Sequence, residues 1–177
     1  MHYRMFVTLS KESANTSWDA RNFVRDYLLE EGFSSQDGRW KCGPADWFVI
    51  GGRWSGELTR ALLDPDKLQA LHQEFEEKHG WWVGGEERIT EDQRRREYED
   101  LFAKYFPDFQ GEVPGWRDQY EDLGYEDDAM LLDERLYALI AEHEGKEEGE
   151  GYCDVDWEPV SQKMVGNKWI VVVDYHN

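Results

Sequence analysis

An α+β fold is what this sequence predicts: a small, mostly antiparallel sheet of three or four strands from the N- and C-terminal regions, with a helical middle packed on one face. Three observations lead there. Runs of strand-forming residues lie near the two ends, at 3–9 and 168–175. Between them, apolar residues recur at helical spacing. The chain has 177 residues, 40% of them hydrophobic and 15% aromatic, enough for one core of ordinary size. A single domain over 1–177 follows, with 107–151 as a loop-rich, acidic helical insertion.

The first strand, Tyr-Arg-Met-Phe-Val-Thr-Leu, leads to Thr16 or Ser17, either of which can cap a helix by accepting its orphan first-turn amides. Ala20, Phe23, Val24, Tyr27 and Leu28 form the apolar stripe of that helix, and Gly32 ends it. Residues 34–44 read as a loop. Residues 47–50 are a short strand stopped by Gly51-Gly52, and 56–63 a short helix. Asp66 is expected to cap the next helix, whose face carries Leu68, Leu71 and Phe75. A break follows around Trp81-Trp82. Thr90 and Gln93 make a capping box ahead of Tyr98, Leu101, Phe102, Tyr105 and Phe106. Met130, Leu132, Leu136, Leu139, Ile140 and His143 predict one more helix, and 145–151 a low-complexity connector. Residues 152–157 alternate as a strand does. Three adjacent valines make 168–175 the clearest strand, and it is expected to pair with the first.

The charge narrows the function. Thirty-nine acidic against twenty basic residues give a formal −19, and the mean hydropathy is −0.85. Such a surface repels phosphate backbones and anionic membranes and attracts basic surfaces or cations. The excess is concentrated: 105–158 holds eighteen acids and three bases, Arg117, Arg135 and Lys146. A helical surface normally mixes signs, since like pairs at i,i+4 cost a few tenths of a kcal/mol. A stretch that forgoes this implies that the field itself is useful. Dense carboxylates can imitate the charge spacing of a nucleic acid and occupy the basic groove of a nuclease, repressor or guide complex. The expected contact set is Asp118, Glu121, Asp122, Glu126, Asp127, Asp128, Asp133 and Glu134, with Trp116 and Tyr125 as aromatic anchors. The bland counterpart is an acidic face that only keeps the chain soluble.

A second candidate is Asp46-Trp-Phe-Val-Ile-Gly-Gly-Arg-Trp-Ser-Gly56. Gly51 and Gly52 permit positive φ and let backbone amides approach a ligand. Arg53 is a fork of donors for a carboxylate or phosphate, and Trp54 can stack a planar group. With Asp174 and His176, two apart on one strand face, Asp46, Gly51, Gly52, Arg53 and Trp54 form the alternative reading, a small-ligand or nucleotide site. It matches neither a P-loop nor a dinucleotide fingerprint. The competing structural reading makes Gly51-Gly52 a turn or bulge and pairs Arg53 with Asp46 or Asp174.

This aromatic run and the closing Val-Val-Val-Asp174-Tyr-His176 resemble a group of bacteriophage and bacterial-genome proteins. These carry an aromatic-rich I-G-G-R-W block and a C-terminal V-V-D-x-H strand. The likeness covers two short stretches and transfers no catalytic role. It implies a phage or prophage origin, which raises the expectation of a host-defence inhibitor.

Other chemistry has little support. Cys42 and Cys153 make no disulfide framework or C-x-x-C pair. The calcium loop pattern is missing, His72 and His79 do not form H-E-x-x-H, and no catalytic triad has a local signature. No catalytic residue, metal or cofactor is therefore expected. The N-terminus does not read as a signal peptide, and no run approaches the roughly 18 apolar residues of a membrane helix. A cytoplasmic protein is the resulting expectation, with the acidic inhibitor as the leading function.

Overall fold

The structure, a computed structural model, describes residues 2–31, 47–79, 90–115, 123–143, 151–154 and 161–176. In chain order it has β1 (His2–Ser10), α1 (Ser17–Glu30), β2 (Trp47–Ile50), α2 (Glu57–Leu62), α3 (Pro65–His79), α4 (Glu91–Tyr105), β3 (Ala129–Leu131), α5 (Glu134–His143), β4 (Gly151–Asp154) and β5 (Lys168–His176). These fall into two compact units, Met1–Leu62 with Arg117–Asn177, and Leu63–Trp116. The expected insertion at 107–151 does not follow that division, because β3 and α5 belong to the first unit.

The α+β class holds, with a mostly antiparallel sheet built on the two terminal strands. β1 and β5 pair antiparallel over nine residues, from His2 opposite His176 to Ser10 opposite Lys168. They are the inner strands of a five-stranded sheet ordered β2-β5-β1-β4. β4 joins β1 in parallel. β2 and β3 lie along different stretches of β5, Phe48 opposite Tyr175 and Met130 opposite Ile170.

Helices cover both faces of this sheet, where one covered face was expected. The reason lies in β5, whose consecutive residues Trp169 to Asp174 are all buried. Neighbouring side chains on a strand point to opposite faces, so an unbroken apolar run needs cover on each. Trp169, Val171 and Val173 pack with Met5, Val7 and Leu9 against Ala20, Val24 and Leu28 of α1. Ile170 and Val172 pack with Phe6 against Leu58 of α2 and Leu132, Leu136 and Ile140 of the α5 segment.

Helix starts follow local chemistry. Thr16 accepts the amide of Asp19, and the Asp19 carboxylate returns to the Thr16 amide, a complete capping box. Thr90 and Gln93 repeat it at α4. α3 starts differently from expectation. Asp64, not Asp66, accepts the amides of Asp66 and Lys67, and Pro65 takes the first helical position, where its missing N–H costs nothing. The helix expected around Met130 to His143 also divides. Residues 129–131 are strand β3, and Asp133 then caps α5 by accepting the amides of Arg135 and Leu136. Within α1, Phe23 stands at the edge of the expected stripe and is exposed, while Arg21 is buried.

In the second unit, α3 and α4 share a core of Leu71, Phe75, Tyr98 and Phe102. Phe75 meets Tyr98 edge to face, with ring centroids 5.2 Å apart. Gly32, Cys42, the 34–44 loop, Trp81-Trp82 and the connector before Gly151 lie outside the described residues. No helix among the described residues is long and apolar enough to cross a membrane.

Candidate functional site

The segment after β2 closes on the chain's own carboxylates. Gly51, at φ 75°, donates its amide to the Val172 carbonyl at 2.8 Å. A 3-10 turn, Gly52–Trp54, then returns the amides of Trp54 and Ser55 to the carbonyls of Gly51 and Gly52. The Arg53 amide donates to Oδ2 of Asp174 at 2.9 Å. Ser55 Oγ and the Gly56 amide donate to Oδ1 of Asp128, at 2.8 and 3.3 Å. Thr59 Oγ1 donates to Asp127. Asp128 is 1% exposed and Asp174 is wholly buried.

The two glycines are fixed by that arrangement. A Cβ on Gly51 would lie 2.2 Å from Asp128 Oδ2, and one on Gly52 would lie 2.6 Å from the Asp174 Cβ. Only glycine admits such an approach at positive φ. The loop has the form of an anion cradle, but Asp128 and Asp174 already occupy it. An incoming phosphate or carboxylate would have to displace them.

The described members of the alternative site therefore gather around the chain's own carboxylates. Gly51, Gly52 and Asp174 are joined internally. Arg53 directs its amide inward while its side chain is exposed. Trp54 lies over the guanidinium of Arg4, 5.0 Å from the ring centroid. His176 stacks face to face on Trp47 at 5.6 Å and an interplanar angle of 3°. Asp46 lies outside the described residues. Among the described residues, no group of three or more His, Cys, Asp or Glu side chains is placed to hold a metal ion.

The acidic stretch divides into structural and exposed members. Asp128 was expected on the partner-binding face. It cannot act there, because it is buried beneath Gly51 and accepts hydrogen bonds from Ser55 and Gly56. Asp127 is half-buried and held by Thr59, and Tyr125 is half-buried. Glu126, Asp133 and Glu134 are exposed. Asp133 takes amides of α5, Glu134 accepts from the Gln162 side chain, and none of the three makes an ion pair among the described residues. Arg135, a basic residue of the same stretch, donates to the Leu62 carbonyl at 2.7 Å. Trp116, Asp118, Glu121 and Asp122 lie outside the described residues.

Sequence reasoning missed the buried cation beside this loop. Arg4 is 5% exposed and donates to Glu57 Oε1 at 2.6 Å, with its guanidinium between the rings of Phe6 and Trp54. An arginine inside an otherwise apolar strand was the available signal. It missed Trp18 and Leu123 as well, both exposed beside the acidic stretch.

No protein-family model matches this chain, and neither does any curated protein or solved structure.

Proposed function

We propose that this chain is a non-enzymatic inhibitor whose acidic surface binds the basic nucleic-acid groove of a host-defence or nucleic-acid-processing protein, as a nucleic-acid mimic of the anti-CRISPR or anti-restriction kind. The observation that carries the reading is the exposed acid at Glu126, Asp133 and Glu134, none of which makes an ion pair among the described residues, although one exposed base, Arg135, lies beside them and donates to the Leu62 carbonyl. The chain's charge is divided in the same sense. Residues 1–62 hold eight acids and eight bases, whereas 117–177 hold seventeen acids and five bases. A field of one sign accelerates encounter with an oppositely charged groove and weakens as salt screens it.

The partner-binding set is accordingly Glu126, Asp133 and Glu134 together with Asp118, Glu121 and Asp122, without Asp128. The test is a pull-down of basic nucleic-acid-binding proteins from host lysate at low and high salt, followed by affinity measurement with the purified partner. Glu126→Lys combined with Glu134→Lys is expected to weaken binding at least tenfold and to flatten its salt dependence. Both side chains are exposed, so the fold should tolerate the change. Binding that ignores both salt and charge reversal rejects the reading.

A further inference from the structure

Trp18 and Leu123 are the two most exposed large hydrophobic side chains among the described residues, at 51% and 50%. They are also neighbours. Trp18 lies against Gly124, the residue after Leu123, so closely that a Cβ there would fall 2.9 Å from its Cζ3. Gly124 has φ +74°, which glycine adopts without strain. On the ring's face sits the Arg21 guanidinium, 5.5 Å from the centroid, and Arg21 is itself only 2% exposed. The Trp18 ring is thus a plate held by Gly124 and the Arg21 guanidinium while half of its surface stays exposed.

Helix α1 explains why it remains outside. Its buried stripe is Ala20, Val24 and Leu28, and Trp18 stands outside that stripe, against Gly124, on a helix that packs beside the Glu126–Asp128 turn. Exposed apolar side chains that adjoin one another mark interaction surfaces more often than isolated ones do. Protein interfaces centre on rigid aromatic anchors, Trp above all, within a polar or charged rim. A plate held in place before binding loses little entropy on complex formation.

We propose that Trp18 and Leu123 form the apolar anchor of the acidic binding face and receive an apolar side chain presented by a basic partner protein. The inference rests on the acidic-inhibitor reading and adds a contact that charge alone does not supply. Charge complementarity selects the occupant. Exposed Glu126 is two residues from Gly124, and residues 117–177 as a whole hold seventeen acids against five bases. A second copy of the chain carries the same −19 and is repelled, as is a nucleic acid. A cationic protein surface bearing leucine or a similar residue fits both features.

The test uses the full chain and two synthetic peptides of equal positive charge, one alternating arginine with leucine and one alternating arginine with serine, titrated calorimetrically at low salt. The leucine peptide is expected to bind at least tenfold more tightly. Trp18→Ala should abolish that preference while leaving the serine peptide's affinity unchanged. Leu123→Ser, at a half-exposed position outside the core, should reduce the preference without disturbing the fold. If the leucine peptide binds no better, or its advantage survives both substitutions, the anchor is overturned and the acidic reading stands. If neither peptide binds at low salt, the acidic reading falls and the anchor falls with it.

Discussion

Gly51 and Asp128, 77 positions apart in the chain, share one small volume: the carboxylate of Asp128 stands where a side chain on residue 51 would begin, 2.2 Å from the Cβ position. Replacing Gly51 by alanine forces the carboxylate or the loop to move and imposes φ 75° on a residue that resists it. The expected loss is about 2–4 kcal/mol of stability. Asp128→Ala strips the acceptor from Ser55 Oγ and the Gly56 amide, at about 1–3 kcal/mol. The two substitutions together should cost less than their sum, because the new methyl enters the space the carboxylate has left. Urea unfolding of the three variants measures this directly, and strict additivity would show that the steric conflict lies elsewhere.

A second prediction concerns Arg4 and Glu57. The guanidinium is almost wholly inside the protein, and Glu57, which also lies 3.4 Å from Arg60, is a carboxylate that it meets at 2.6 Å. Removing one member of a buried pair leaves an uncompensated charge, whereas replacing both by apolar residues of similar volume is often neutral. Glu57→Leu is expected to destabilise by about 2–4 kcal/mol, and adding Arg4→Met should recover at least half of that loss. Chemical denaturation of the single and double variants decides. A double variant as unstable as Glu57→Leu alone would show that the ion pair is not the relevant interaction.

The capping threonines give a smaller, cleaner effect. Thr16→Ala and Thr90→Ala each remove an acceptor from a first-turn amide and break a reciprocal box, at about 1 kcal/mol apiece. Thr16 lies in the first unit and Thr90 in the second, so their effects should add. Thermal unfolding of the single and double variants tests this. A silent Thr90→Ala would mean that α4 is held by its packing against α3 alone.

These contrasts show what was legible in the sequence. The β1–β5 pair was, because its residue types, valines above all, favour a pleated surface and both strands needed partners. The two threonine caps were, because the partner residue lies three positions away. Chemistry with a short reach in sequence is readable. What stayed hidden depends on distant groups. Gly51-Gly52 looked like a place for an external anion because Asp128 and Asp174, the anions that fill it, come from a turn and a strand far along the chain. For the same reason Asp128 was placed on the surface with its acidic neighbours, since composition cannot separate one buried carboxylate from exposed ones such as Glu126, Asp133 and Glu134. The second covered face of the sheet was legible in principle: three consecutive valines leave no polar side for water.

The last prediction is a pH dependence in the α3–α4 unit. Glu74 accepts from Lys104 Nζ at 2.8 and 2.9 Å and from Tyr105 Oη at 2.7 Å. These bonds, Lys104 first, hold the Glu74 carboxyl below its ordinary 4.5. Lys78 and, less strongly, His79 do the same for Glu97. A carboxylate depressed in the folded state contributes stability that is fully present above its unfolded value and is lost as pH falls through the folded one. The bonds to Glu74 also raise Lys104 above 10.5 and Tyr105 above 10.0. For those groups the sign is reversed: their contribution is present below the ordinary value and disappears as pH rises through the folded one. Glu74→Gln should therefore lower the thermal midpoint between about pH 5 and 9, with the wild-type and variant curves converging in acid and again in strong alkali. The pairs are solvent-exposed, so added salt should narrow the gap. A gap of constant width across the whole pH range would show that the Glu74 charge contributes nothing to stability.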